Sequence, residues 1–230
     1  GLLSAAELTG DQELIDKAIS VGNAVYEPIS NANGFYNSLC RFSVDQNKKY
    51  SIQCNNGGYN LAEVGTFQLE FYTLSKLSKD PKFINLALKV YHSLWSNQQN
   101  ALISSHLGAG TDSYYEYITK GYAMTGGICD EMLQRHIKLM KEIRSQLLFT
   151  TTPNHLVGHG LRNGNKPTPV IEHLATFVGG MVALGTFKNN PEREEDLKLA
   201  SEFVKTYAET YNHFKSGIMP EQVEYNTNPK

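Results

Sequence analysis

The stretch Leu77-Ser78-Lys79-Asp80-Pro81-Lys82-Phe83-Ile84-Asn85-Leu86-Ala87-Leu88-Lys89-Val90 decides the fold. Phe83, Leu86, Ala87, Val90 and Leu94 recur at helical spacing and fall on one face. Asp80 is placed to cap the free N–H groups of that helix, and Pro81 suits its first turn. The preceding residues, Leu61 to Leu77, also carry a helical pattern, so the whole is a helix, a short turn and a second helix. The unit recurs. Leu8-Thr9-Gly10-Asp11 followed by Leu14, Ile15 and Ala18 repeats the same signals. A looser copy runs from Leu184 through Asn190-Pro191 to Leu197 and Ala200. Repeated helical hairpins imply a stacked array, either an open solenoid or a closed barrel.

Further helices are expected over 112–125 and 130–148. Two stretches break the pattern. Residues 31–59 are rich in Asn, Gly and Ser and read as a long loop with room for short strands. Residues 149–169 pair a threonine run with His155-Leu156-Val157 and glycines, as a β-hairpin would. No composition shift divides the 230 residues, so they are read as one domain, with a core of ordinary size.

The formal net charge is −2, which gives no electrostatic reason for a nucleic-acid or anionic-membrane partner. Lys138 to Lys141 reads as a solvated helix face. No apolar run approaches the ~20 residues that span a bilayer. The chain opens on Gly1 in residues that already read as helix, so a truncated domain is expected. Cys40, Cys54 and Cys129 show no zinc spacing. Cys40 and Cys54 flank a polar loop, and either a bridge between them or three idle thiols is compatible with the sequence.

Three groups of residues could carry chemistry. Glu63 and Glu70 lie seven apart in Leu61-Ala62-Glu63-Val64-Gly65-Thr66-Phe67-Gln68-Leu69-Glu70-Phe71. On a continuous helix they share one face with Phe67 and Leu74. Carboxylates there need hydrogen bonds or a cleft, unless they are simply solvated. In Asp112-Ser113-Tyr114-Tyr115-Glu116-Tyr117, two acids one turn apart stand among tyrosines, a combination suited to sugar hydroxyls and C–H faces. Asp112 reads equally well as a helix cap. Glu172-His173 precedes an apolar helix whose Gly179 and Gly180 permit close approach of a neighbour. His173 reads as a core histidine. His155 and His159 lack the HExxH context of a zinc site, and no phosphate-binding glycine loop or GxSxG elbow occurs.

Read together, Gly1-Leu2-Leu3-Ser4-Ala5, the stretch 62–71, Asp112-Ser113-Tyr114-Tyr115-Glu116-Tyr117, Glu172 to Phe177 with Gly179-Gly180, and Met219-Pro220-Glu221 resemble glycoside hydrolase family 47, the class I α-1,2-mannosidases. Each stretch alone is modest, and the ordered set is specific. The resemblance implies an all-α fold, part of an (α/α) barrel of helical hairpins with a small β-hairpin insertion. It implies a calcium-dependent, inverting hydrolase that trims terminal α-1,2-linked mannose from high-mannose N-glycans, in the endoplasmic reticulum or Golgi or secreted. Inversion needs an acid and a base separated by room for water. By resemblance Asp112 is the catalytic candidate, and Glu63, Glu70, Glu116 and Glu221 line the sugar and calcium-water pocket.

The departures are informative. By resemblance one catalytic glutamate belongs just before Gly1, another in a motif beyond Glu221, and the calcium-binding threonine beyond residue 230. The segment is therefore expected to be inactive alone and to hold no metal in the family's manner. Gly110 stands where single-mannose-specific members resemble one another in carrying arginine, so a broader specificity is expected. The rival expectation is a mannosidase-like protein that binds mannose glycans in glycoprotein quality control. A helical scaffold for protein partners is a third.

Overall fold

Two helix-to-helix turns are closed by the same hydrogen bonds. In the first, Thr9 Oγ1 donates to the Ala5 carbonyl (2.8 Å) and accepts from the Asp11 N–H (3.2 Å). The Asp11 carboxylate accepts from the Glu13 N–H (2.8 Å), and Gly10 between them is left-handed, with φ 68°. In the second, Ser78 Oγ donates to the Leu74 carbonyl (2.6 Å) and accepts from the Asp80 N–H (3.2 Å). Asp80 accepts from the Lys82 N–H (3.0 Å), and Lys79 takes φ 59°. Each turn thus satisfies an orphan carbonyl of one helix and an orphan N–H of the next. The backbone N–H of Lys82, more than any charge, holds the Asp80 carboxyl below its ordinary pKa.

The computed structural model describes residues 1–32, 35, 40–47, 50–54, 58–96, 100–152, 154–164 and 166–227. It forms two compact units, Gly1–Asn97 and Gln98–Lys230.

The first unit contains α1 (Leu2–Thr9), α2 (Gln12–Asn31), β1 (Cys40–Val44), β2 (Tyr50–Cys54), α3 (Leu61–Val64), α4 (Gln68–Ser78) and α5 (Lys82–Ser96). The α5 face expected from the sequence is buried: Phe83, Leu86, Ala87, Val90 and Leu94 all enter the core. Phe71 stacks edge-on against both Phe67 and Phe83, with centroids 4.9 and 5.5 Å away. Gly22 lets α2 approach, since a Cβ there would stand 2.8 Å from Leu74 Cδ1. Within residues 31–59, β1 and β2 pair antiparallel with Cys40 opposite Cys54. Cys40 is disulfide-bonded and Cys129 carries a free thiol.

The continuous helix expected over 61–77 is instead two helices, α3 and α4, separated by Gly65-Thr66-Phe67. The Tyr91 hydroxyl reaches in from α5 to donate to the Gly65 carbonyl (3.1 Å). Gln68 folds back, its Oε1 accepting from the Phe67 N–H (3.0 Å) and its Nε2 donating to the Val64 carbonyl (3.3 Å). These side chains stand in for the lost helical ladder, and the seven-residue spacing no longer sets Glu63 and Glu70 on one helical face.

The second unit contains α6 (Asp112–Met124), α7 (Asp130–Gln146), β3 (Leu148–Thr150), β4 (Val157–His159), β5 (Leu161–Asn163), β6 (Lys166–Thr168), β7 (Val170–Glu172), a 3₁₀ turn His173–Phe177, α8 (Val178–Leu184), α9 (Arg193–His213) and β8 (Gln222–Glu224). The single hairpin expected over 149–169 is two ribbons, β3–β4 and β5–β6. β7 pairs with β8, some fifty residues on, which local sequence does not signal. The helix expected from His173 begins as a 3₁₀ turn and becomes α-helical at Val178. Gly179 admits α9, because a Cβ there would lie 2.9 Å from Val204 Cγ2.

The third turn uses an amide. Asn190 donates to the Gly185 carbonyl (3.0 Å) and to Asp196 Oδ2 (2.7 Å), and accepts from the Glu192 N–H (3.0 Å). Arg144 on α7 binds both Asp196 and Glu192. Burial dominates at Asp196 and pushes its carboxyl pKa up. At Glu192 burial also acts upward, but the hydrogen bonds from Arg144 and Lys141 outweigh it and the pKa falls.

His136 and His159 are buried, and burial lowers both from 6.5 to about 4. His159 Nε2 donates to the Ala175 carbonyl (3.2 Å), and its ring meets Phe203 edge-on. It is a core residue of the β4–α9 packing rather than a metal ligand.

Two predictions follow from the turns and the buried imidazoles. Lys79→Gly relieves a left-handed non-glycine residue and raises unfolding stability by about 0.5–1 kcal/mol, read from the urea midpoint. Between pH 6.5 and about 4 the unfolded chain binds the protons that His136 and His159 refuse when folded. Stability is therefore lost as pH falls through that window, by on the order of 2 kcal/mol per histidine at pH 5. Equal urea midpoints at pH 7 and pH 5 would contradict it.

Candidate active-site loop

Residues 100–111 form no helix or strand, so side chains must satisfy their backbone groups. From α7, Arg135 Nη2 donates to the Asn100 carbonyl (2.6 Å) and Glu142 Oε2 accepts from the Leu102 N–H (2.6 Å). From α6, the Tyr115 hydroxyl accepts from the Ser104 N–H (3.0 Å). The Arg162 N–H donates to the Ser105 carbonyl (2.7 Å). His106 Nδ1 accepts from the Gly108 N–H (3.1 Å), and Glu172 Oε2 accepts from the Ala109 N–H (3.0 Å). The loop is tied down from Asn100 to Ala109 before it enters α6.

Gly108 and Gly110 have distinct reasons to lack a side chain. A Cβ on Gly108 would lie 1.5 Å from Glu172 Oε2, so the carboxylate occupies its place. Gly110 takes φ 80°, in the left-handed region that glycine tolerates best. The small residue singled out for specificity therefore also serves the turn.

Asp112 is the first residue of α6. The cap position belongs to Thr111, which makes no side-chain capping bond to the helix, so the reading of Asp112 as the cap does not hold. Asp112 Oδ1 accepts from the Ser113 N–H (2.7 Å), and its own N–H donates to the Gly108 carbonyl (2.9 Å). Glu116, one turn on, is paired with Lys120 at 2.6 Å. The tyrosines divide. Tyr114 and Tyr115 are wholly buried with centroids 5.1 Å apart and belong to the core; Tyr117 is half-buried. Burial pushes the Tyr115 hydroxyl pKa up. Two of the three rings expected to meet a sugar are thus committed to packing.

Glu172 ends β7 opposite Gln222 of β8 and stands 3.9 Å from His106 Nδ1. The His173 N–H donates to the Glu221 carbonyl (2.8 Å), and its Nε2 is hydrogen-bonded to the Tyr211 hydroxyl. The second unit therefore brings the Gly108–Asp112 turn to Glu172, and Glu221 to His173. The sequence singles out Glu172 beside His173 but assigns it no role at the site. Its signal was the Gly108-Ala109-Gly110 run, whose missing side chains leave room for a carboxylate.

Glu63 and Glu70 belong to the first unit. The Glu63 N–H donates to Asn60 Oδ1 (2.8 Å), which caps α3. Glu70 is exposed in the first turn of α4, at the edge of a cavity of about 520 Å3 lined mainly by apolar side chains such as Val21, Val25, Phe42 and Phe71. Among the described residues no three His, Cys, Asp or Glu side chains gather as ligands for a metal ion.

Comparison with known proteins identifies the family. The model of Glycosyl hydrolase family 47 matches residues 1–230. A mannosyl-oligosaccharide 1,2-alpha-mannosidase of Candida albicans is 31% identical over 98% of this chain and 45% of its own length. The endoplasmic reticulum mannosyl-oligosaccharide 1,2-alpha-mannosidase of Homo sapiens is 27% identical over 100% of this chain and 35% of its own. The solved alpha-1,2-mannosidase from Trichoderma reesei superposes with a TM-score of 0.79 at 23% identity, covering 92% of this chain and 46% of that one, and shares its fold. The chain belongs to glycosyl hydrolase family 47. The expected fold class, a partial (α/α) barrel of repeated helical hairpins, is borne out, with two β-ribbons where one small β-hairpin insertion was expected. The chain spans less than half the length of these relatives.

The contact of Gly108 with Glu172 is directly testable. Gly108→Ala forces the carboxylate out and costs about 1–3 kcal/mol by overpacking. Adding Glu172→Ala recovers part of that loss, because the two changes share one contact. Additive losses in the four-variant cycle, read from urea midpoints, would show that the contact is not what excludes the methyl group.

Proposed function

We propose that this chain is a segment of a calcium-dependent, inverting α-1,2-mannosidase that trims terminal α-1,2-linked mannose from high-mannose N-glycans. The observation that carries the proposal is membership of the family over all 230 residues, with Asp112 held at the start of α6 by an anchored loop. The relatives named above are mannosyl-oligosaccharide mannosidases, one of the endoplasmic reticulum, which supports a place in the secretory pathway or outside the cell. Nothing in the charge balance favours a nucleic-acid partner, and among the described residues no helix is long and apolar enough to cross a membrane.

Asp112 is assigned the catalytic role. The Ser113 N–H fixes one of its oxygens and so the direction of the other, as a group that delivers or orders a proton requires. Glu116, Glu221, Glu63 and Glu70 are assigned to sugar hydroxyls and pocket water. Lys120 pairs with Glu116 without burying it and so keeps a charged acceptor available. Gly110 leaves the space that a longer side chain would fill, which favours removal of more than one mannose. Inversion needs a second carboxylate across a water-sized gap. Calcium, a hard ion satisfied by oxygen ligands, would supply charge to order water and sugar hydroxyls. The described residues do not form its ligand set.

The experiment is release of mannose from α-1,2-linked mannobiose by the full-length protein, followed by NMR with calcium and with a chelator. β-Mannose appearing first, and only without chelator, is the expected result. Asp112→Asn lowers kcat at least about 100-fold without changing the unfolding free energy, read from the urea midpoint, by more than about 1 kcal/mol. Retained configuration, or full activity in Asp112→Asn, would overturn the assignment. On a nine-mannose glycan the reaction proceeds past the first mannose.

A further inference from the structure

The second unit contains a groove of about 370 Å3 that the residues discussed above do not use. It lies between the C-terminal end of α9, the β3–β4 connection and the residues of and after β8. Its chemistry is that of a binding site for a neutral polyol. Glu209 and Glu224 supply two carboxylates and Asn212 an amide, and none of the three has a protein partner among the described residues. No lysine or arginine is among the lining residues, so an anionic ligand is disfavoured. Phe214 and Tyr225 contribute rings.

Tyr225 is fixed before any ligand arrives. Thr210 Oγ1 gives its one proton to the Thr206 carbonyl (2.7 Å), so the Tyr225 hydroxyl must be the donor in its hydrogen bond with Thr210. The ring also packs on Phe149 with centroids 5.5 Å apart, and the Tyr225 N–H continues the β7–β8 ladder by donating to the Pro169 carbonyl (2.8 Å). A ring held at three points costs little entropy on binding. Acceptors without partners beside rigid rings match a hexose, whose hydroxyls donate and whose C–H faces lie on aromatic surfaces.

The groove and the candidate active-site loop lie against the same β7–β8 ribbon: β8 lines the groove, and Glu172 of β7 holds the loop at Ala109. Glu172 pairs with Gln222 on the β7–β8 ribbon, and Glu224 is two residues further along, about 7 Å away at the rise of a strand. We propose that this groove is a second sugar-binding site, which holds another branch of the oligosaccharide whose terminal residue enters the site near Asp112. The proposal rests on the mannosidase reading for its choice of ligand.

The test separates the two ideas. The full-length protein is titrated with a high-mannose oligosaccharide, and the amide NMR signals of Thr152 and Thr210 are followed. Kinetics are measured on that oligosaccharide and on α-1,2-mannobiose, which is too short to reach both sites. The expected result is a saturable shift of both signals. Phe214→Ala and the surface variant Glu224→Ala then raise KM for the branched glycan roughly fivefold, the loss of about one ring or hydrogen-bond contact, and leave mannobiose kinetics unchanged. Silent groove signals, or equal effects on both substrates, overturn the second site. Failure of the wild-type protein to release mannose from either substrate sinks the mannosidase reading instead, and the titration still decides the groove.

Discussion

The irregular connections among the described residues obey one constraint: a backbone N–H or carbonyl removed from water must find a partner. Thr9, Ser78 and Asn190 each answer it at a helix end with a single short side chain that serves two elements. Asp11 and Asp80 answer it at the start of the next helix. The helical hairpins close tightly because these few groups leave little unsatisfied. The same constraint governs 100–111, which has no ladder of its own and borrows Arg135, Glu142, Tyr115 and Glu172 from elements around it.

Such borrowing has a structural consequence for chemistry. A loop fixed by side chains from α6, α7 and β7 can present Asp112 with little freedom, which preorganisation demands and an unanchored loop cannot provide. It also explains why so many tyrosines and carboxylates of the acidic segments are only partly available to a ligand. Tyr115 is both a core residue and an anchor, and Glu172 is both a carboxylate near the site and a clamp on Ala109.

The buried ionic cluster obeys the same logic at higher cost. Asp196 is withdrawn from water, and an isolated carboxylate there would be strongly unfavourable. Arg144 and Asn190 together surround it, and Glu192 binds the remaining face of the guanidinium. The cluster ties α7 to the start of α9. Its opposed pKa directions show that burial wins at Asp196, whereas hydrogen bonding wins at the more exposed Glu192.

The sequence by itself determined the hairpins, because a 3.6-residue apolar period and an Asp after a Ser or Thr turn act locally. It also determined the family, through short acidic segments in a fixed order. Close approach at Gly179 was legible for the same reason: a glycine in an apolar helix signals a neighbour. Only the tertiary structure decided where the helix over 61–77 breaks, since the break is stabilised by Tyr91 from the facing helix of the same hairpin. Only it revealed the pairing of β7 with β8 and the place of Glu172 against Gly108, contacts between residues some fifty to sixty positions apart. Local signals encode the elements. The position of a carboxylate against a distant backbone depends on how those elements pack, and no periodicity carries that.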